Sequence, residues 1–121
     1  MYDIDAFQMK VADWANERNI FTKSNPMKQL EKTQEEVDEL KAHTKTIRDV
    51  TKWKKDERSQ EITLGVLKDL IKDDIGDVVV TLSIQASMFG LTLSECLEYA
   101  YREIKDRGGK MIDGLYVKED K

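Results

Sequence analysis

Apolar residues recur at helical spacing in four stretches, separated by polar ones. In the first stretch Phe7, Val11 and Trp14 share a face with Ile4 and Ala15, the repeat of an amphipathic helix. Asp3 or Asp5 can cap it, and the pattern fades near Asn19. Asn25 then suits an N-cap and Pro26 the first helical position. A second helix is expected from Pro26 to about Thr46, with Leu30, Thr33, Val37 and Leu40 as its inner stripe. Beside that stripe runs a polar row: Gln29, Lys32, Glu36, Glu39 and His43. Residues 47–60 are charged and weakly periodic, so they read as a linker or surface excursion with room for a helical turn. A third helix should begin between Ser59 and Val66 and end at Gly90, with Gly65 marking a break near its start. Thr92 and Glu95 form a capping box for a fourth helix carrying Leu93, Leu97, Ala100, Tyr101 and Ile104. That helix should stop at Gly108-Gly109, leaving an irregular or briefly extended tail.

Composition narrows the fold. The chain has 121 residues, enough for a single domain spanning 1–121 with a modest core. Charged residues make up 36%, aromatics only 7%, and there is one proline, which favours helices over sheets. The expected fold class is all-α, a four-helix bundle with antiparallel neighbours. So short a chain encloses a pocket most easily by self-association, so a homodimer or homotetramer is expected. The net charge of -4 argues against holding a nucleic acid polymer by its phosphates. Cys96 is the single cysteine, which excludes an intramolecular disulfide and suits small helix-face packing. No apolar run is long enough to span a bilayer, and M-Y-D-I-D lacks a signal-peptide pattern. No membrane partner is expected, and the cytoplasm is the default compartment.

The candidate chemistry lies in Lys72 to Met88. Asp74 and Asp77 sit one turn apart beside a stripe that should be buried, where an ionised carboxylate is costly without compensation. Glu36 and Glu39 repeat the same i, i+3 spacing on the second helix. Antiparallel packing of the two helices would converge four carboxylates, which would raise one another's pKa values. A hard, oxygen-seeking cation removes that conflict. Magnesium is the expected ion, with manganese as a substitute. Magnesium held this way commonly recruits phosphate oxygens, which points to a phosphate ester or anhydride as substrate. Two blander readings stand beside this. E-E-V-D-E also fits a solvated helix face, and Asp74 with Asp77 also fits core-edge acids paired with Lys or Arg.

The order of motifs then becomes informative. Gln29 precedes Glu35-Glu36-x-x-Glu39-Leu40, followed by Asp74-x-x-Asp77, Gly90 and Ile104-Lys105-Asp106-Arg107-Gly108-Gly109-Lys110-Met111. This resembles the MazG-like family of all-α nucleoside triphosphate pyrophosphatases over nearly the whole chain. The segments V-A-D-W-A-N-E-R, N-P-M-K-Q-L and D-G-L-Y-V-K-E are similar to its small single-domain versions. The resemblance implies hydrolysis of a nucleoside triphosphate between its α and β phosphates, giving the monophosphate and pyrophosphate. The family's E-x-x-E maps onto Glu36 and Glu39, and its E-x-x-D onto Asp74 and Asp77. Asp74 stands where the family usually has glutamate, so the carboxylate reaches less far. Arg102 stands where relatives often have asparagine, with a bearing on substrate choice.

Roles follow for individual residues. Glu36, Glu39, Asp74 and Asp77 are the expected metal ligands. Glu35 is a candidate to support them or to orient water; otherwise it is an exposed acid. Lys32 could meet a phosphate or pair with Glu36 at i, i+4. Lys105 and Arg107 resemble the family's phosphate-facing cations, and equally complement a helix dipole. Gln29, Trp14 and Asn25 could line a base pocket, although Trp14 also fits a core position and Asn25 a cap. His43 could join the site or lie exposed. Trp53, among Lys52, Lys54 and Lys55, suits a loop over the phosphates or a solvated insertion. The rival functions are a helical interaction module without catalysis, or an all-α hydrolase of another pyrophosphate-containing nucleotide, such as dUTP, phosphoribosyl-ATP or an alarmone.

Overall fold

The computed structural model describes residues 3–53 and 56–119. Of these, 78% are helical, in agreement with the expected all-α character. Helix α1 spans Ile4–Glu17, and Asp3 caps it by accepting from the Asp5 amide. Asn19, in the left-handed region at φ 61°, turns the chain into a single helical turn, α2, at Ile20–Lys23. Helix α3 runs Pro26–Trp53 and α4 runs Glu57–Met88. Asn25 caps α3 through its side chain, which accepts from the Lys28 amide at 2.9 Å. Gly90, at φ 70°, releases the chain from α4. Helix α5 follows at Leu93–Ile104, and the axis bends by 97° between α4 and α5. Thr92 and Glu95 form the expected capping box. Among the described residues no single helix is long and apolar enough to cross a membrane.

The stretch 47–60, expected as a linker, is mostly helix: α3 continues to Trp53 and α4 begins at Glu57. Gly65 makes no break in α4. The reason lies in the pairing of the two helices. Gln29 and Thr33 meet Thr81, His43 meets Asp74, and Gln60 meets Thr51, so rising numbers on α3 match falling numbers on α4. The pair is antiparallel. On α3 the more buried row is Gln29, Thr33, Glu36, Leu40, His43, Ile47 and Val50; on α4 the row that meets it is Leu64, Leu67, Ile71, Asp74, Val78, Thr81, Gln85 and Met88, and the C-terminal half of α4 also buries Ser83, Ile84 and Ala86. Both rows alternate steps of three and four, the repeat that keeps one seam facing a partner along its length. Ile47 and Val50 extend the α3 row through the charged stretch. Leu30 and Val37, expected on the inner stripe, are exposed instead.

Helix α1 packs across the C-terminal half of α4. Gln8 is buried there, donating to the Leu91 carbonyl and the Ser87 hydroxyl and accepting from the Leu93 amide. The tail is more ordered than expected. Strands β1 (Gly109–Ile112) and β2 (Leu115–Lys118) form an antiparallel hairpin pairing Gly109 with Lys118 and Ile112 with Leu115. Asp113 and Gly114 form its turn at φ 50° and 82°, the sign that a two-residue hairpin turn requires. At Gly109 a β-carbon would lie 2.5 Å from the Val117 carbonyl and 2.6 Å from the Tyr116 ring, so glycine permits the close approach.

Candidate functional site

The acids occupy the α3–α4 seam. Glu36 lies on the inner row of α3, with its side chain 14% exposed. Lys32 reaches Glu36 Oε1 at 3.5 Å and Glu35 Oε2 at 3.0 Å. Those acids raise the Lys32 pKa, through its hydrogen bond to Glu35 first. The other Glu36 oxygen, Oε2, is buried and meets no donor. Further along the seam, opposite His43, Asp74 on α4 is 3% exposed and accepts from His43 Nδ1 at 2.5 Å.

Glu39 and Asp77 complete the set. The Glu36 charge, above all, pushes the Glu39 carboxyl above its usual range; partial loss of water, the approach of the Glu36 carboxylate to hydrogen-bonding range and the Asp74 charge add to this, and His43 opposes it. Asp77 is also raised, first by burial, then by the charges of Asp73, Glu36 and Asp74, with Lys32 opposing. Each helix thus feels the carboxylates of the other, and the four expected ligands share one electrostatic neighbourhood. Among the described residues, no three acid or imidazole groups are drawn together tightly enough to enclose an ion as they stand. The donor set nevertheless suits a hard cation: it is all oxygen, mutually repelling, and includes a buried oxygen without a partner.

Asp77 also opens onto two grooves. One, of 410 Å³, is lined by Lys10, Val11, Trp14, Asp77 and Val80. The other, of 490 Å³, runs over Asp69, Lys72, Asp73, Gly76, Asp77 and Val80. Trp14 is therefore half-exposed beside an acid rather than enclosed in a core. The Arg18 guanidinium covers its ring at 4.4 Å. Lys10, at this groove, is a residue that sequence reasoning did not single out.

Other candidates lie elsewhere. Gln29 is 6% exposed and gives its amide to the Thr81 carbonyl at 3.3 Å, so it fastens α3 to α4. Glu35 is exposed and held by Lys32. Lys105 caps the end of α5, and Arg107, just beyond it, pairs with Glu103 at 3.5 Å. Neither cation is among the groups that act on Glu39 or Asp77. Trp53 is exposed at the end of α3 under Lys52, and Lys54 and Lys55 lie outside the described residues. Arg102 pairs with Glu98 on α5. Both border a cavity of 670 Å³, with Leu91, Glu95, the exposed Cys96 and Tyr99. That cavity shares no residue with the acid seam.

The residue most undervalued by the sequence pattern is His43. The signal was present, since it continues the row of Glu36 and Glu39, but only the α4 register reveals that the row faces Asp74. No family model, curated protein or solved structure matches the chain.

Proposed function

We propose that the chain is a magnesium-dependent nucleoside triphosphate pyrophosphohydrolase of the MazG-like type, acting in the cytoplasm as a homodimer or homotetramer. The observation that carries this reading is the seam itself. Carboxylates from two antiparallel helices act on one another across it, and a buried Glu36 oxygen lacks a donor. The order of motifs from Glu35 to Met111 supports the same reading.

In this scheme Glu36, Glu39, Asp74 and Asp77 would hold magnesium, or manganese in its place. The ion supplies neutralisation of phosphate charge and a lowered pKa for the attacking water. Trp14 offers an apolar ring for a base in the groove beside Asp77, and Lys10 borders the same groove. Lys32, which pairs with Glu36 and acts on Asp77, is a cation available to a phosphate. It also fixes Glu35, the candidate for orienting water. Attack of water at the α phosphorus breaks the α–β anhydride and releases the monophosphate and pyrophosphate.

The exposed surface supports association. The chain presents 9750 Å² to solvent, whereas a compact chain of 14.0 kDa presents about 6,700 Å². The excess is several times the roughly 800 Å² that one partner contributes to a standard interface. Leu97, Tyr101 and Ile104 on α5, and Met111, Leu115 and Tyr116 in the hairpin, are all more than half exposed. A second copy that covers them is also the element able to bring Lys105 and Arg107 to a bound phosphate.

The test is a panel of NTPs and dNTPs incubated with and without magnesium, with products identified. The reading expects monophosphate and pyrophosphate from at least one substrate, only with the metal. No product across the panel, extended to dUTP, phosphoribosyl-ATP and alarmones, overturns it. The apolar surface also favours a second reading, a helical interaction module without catalysis. Thermal melts separate the two. Magnesium plus nucleotide at a hundredfold excess over Kd should stabilise an enzyme by about 2.7 kcal/mol and leave a bare module unmoved.

A further inference from the structure

Asp74 occupies a position that the three-four repeat of α4 reserves for the seam, and only 3% of it is exposed. An ionised carboxylate there needs a hydrogen-bond donor. The donor comes from the opposite helix: His43 Nδ1 lies 2.5 Å from Asp74 Oδ2. Among the described residues no lysine or arginine forms an ion pair with Asp74, and the His43 imidazole is the group within hydrogen-bonding distance of its carboxylate. The imidazole is itself restrained, with its side chain 29% exposed and placed on the inner row between Leu40 and Ile47. One Asp74 oxygen is thus committed to the imidazole, while Oδ1 keeps its lone pairs.

We infer that His43 is a positioning residue for the cation site: its ring N–H holds Asp74 so that the second carboxylate oxygen is presented to a divalent cation along with Glu36, Glu39 and Asp77. The inference rests on the reading above that these acids bind a cation. Donors behind ligating carboxylates set their orientation, and losing one typically lowers metal affinity about 10- to 100-fold. His43 shares a helix with Glu36 and Glu39 and bonds to an acid on α4, so the contact ties the two halves of the donor set together.

The test compares His43→Ala with His43→Asn, whose side-chain amide can place a donor near the position of Nδ1. Manganese or magnesium binding is measured by calorimetry without nucleotide. The metal-induced rise in melting midpoint and the helical circular dichroism are followed in parallel. His43→Ala should keep its helical signal and lose about 10- to 100-fold in affinity, while His43→Asn recovers most of the loss. Wild-type affinity in His43→Ala overturns the inference. So does equal loss in both variants, which would assign the effect to ring packing. A wild-type protein that binds the metal but cleaves no nucleotide defeats the proposed activity and leaves the role of His43 standing. A wild-type protein that binds no divalent cation defeats both.

Discussion

The α3–α4 seam and the α5–hairpin end divide polarity in opposite ways. In the seam, the positions facing the partner helix include Gln29, Thr33, Glu36, His43, Asp74 and Thr81, paired across the interface or held by mutual charge. At the other end, α5 is strongly amphipathic and well capped, yet it buries none of its described residues. Leu97, Tyr101, Met111 and Leu115 face outward. The seam has its partner within the chain and fills core positions with chemistry. The first turn of α5 meets α1 through Leu93 and Ser94, but among the described residues Leu97, Tyr101 and Ile104 stay more than half exposed, apolar material suited to a core. A two-stranded hairpin is at best marginal by itself. So the order of the α5 end is expected to depend on a neighbour, whereas that of the seam does not.

The largest effect should come from breaking that dependence. Leu97→Asp with Ile104→Asp places two charges on the apolar face of α5. Each side chain removed from an interface forfeits about 1.5–3 kcal/mol, and a two-fold contact counts each change twice. The dissociation constant should rise by roughly a thousandfold or more. Light scattering should then find a single 14.0 kDa chain at concentrations where the wild type is assembled. The α3–α4 helical signal should persist. An unchanged mass would remove the apolar face of α5 from any interface.

The same contrast explains what the sequence could reveal. Local signals read correctly: the Asp3 and Asn25 caps and the Thr92–Glu95 box each involve residues two or three apart. Non-local ones did not. Leu30 and Val37 drew the inner stripe of α3 toward themselves, while the row that faces α4 runs through Thr33, Glu36 and His43. A polar seam gives a weak apolar period, so its register is fixed only by the helix opposite. Ile47 and Val50 vanish among charges for the same reason, and α3 looked shorter than it is. The two acid pairs remained visible because their three-residue spacing is local. The Asp113-Gly114 turn is equally local and marks a hairpin when flanked by Met111, Ile112, Leu115 and Val117, whereas the expected tail, irregular or briefly extended, contains no paired strands.

A smaller effect, confined to the seam, separates chemistry from packing. Glu39→Gln and Asp77→Asn remove charge while keeping shape. Each should lower turnover by about a hundredfold or more, at least the loss seen for groups behind a metal ligand. Each should also leave helical content intact and raise the metal-free melting midpoint, because the Glu36 charge first disfavours an ionised Glu39, and burial followed by neighbouring acids disfavours an ionised Asp77. Wild-type turnover in either variant would take that residue out of the ligand set. Assembly mass should not change in either, in contrast to the α5 variants.

The smallest effect is a slope with pH, and its sign is fixed. Glu39 and Asp77 have native pKa values above their ordinary 4.5 and 3.8. Between the ordinary and raised values the folded chain holds more protons than the unfolded one, so stability falls as pH rises through that window. Metal-free protein should therefore melt slightly higher at the acidic end of the window than above it. Glu39 is exposed, so solvent screening keeps its share of the shift small. Other groups titrate nearby, so the useful quantity is the difference in slope between the wild type and Glu39→Gln or Asp77→Asn. That difference should be a decline with rising pH. Saturating magnesium should reverse it, since the cation binds the deprotonated carboxylates and its stabilisation grows as they ionise. A decline that magnesium leaves untouched would mean that the acids repel one another in the seam without serving as a cation site.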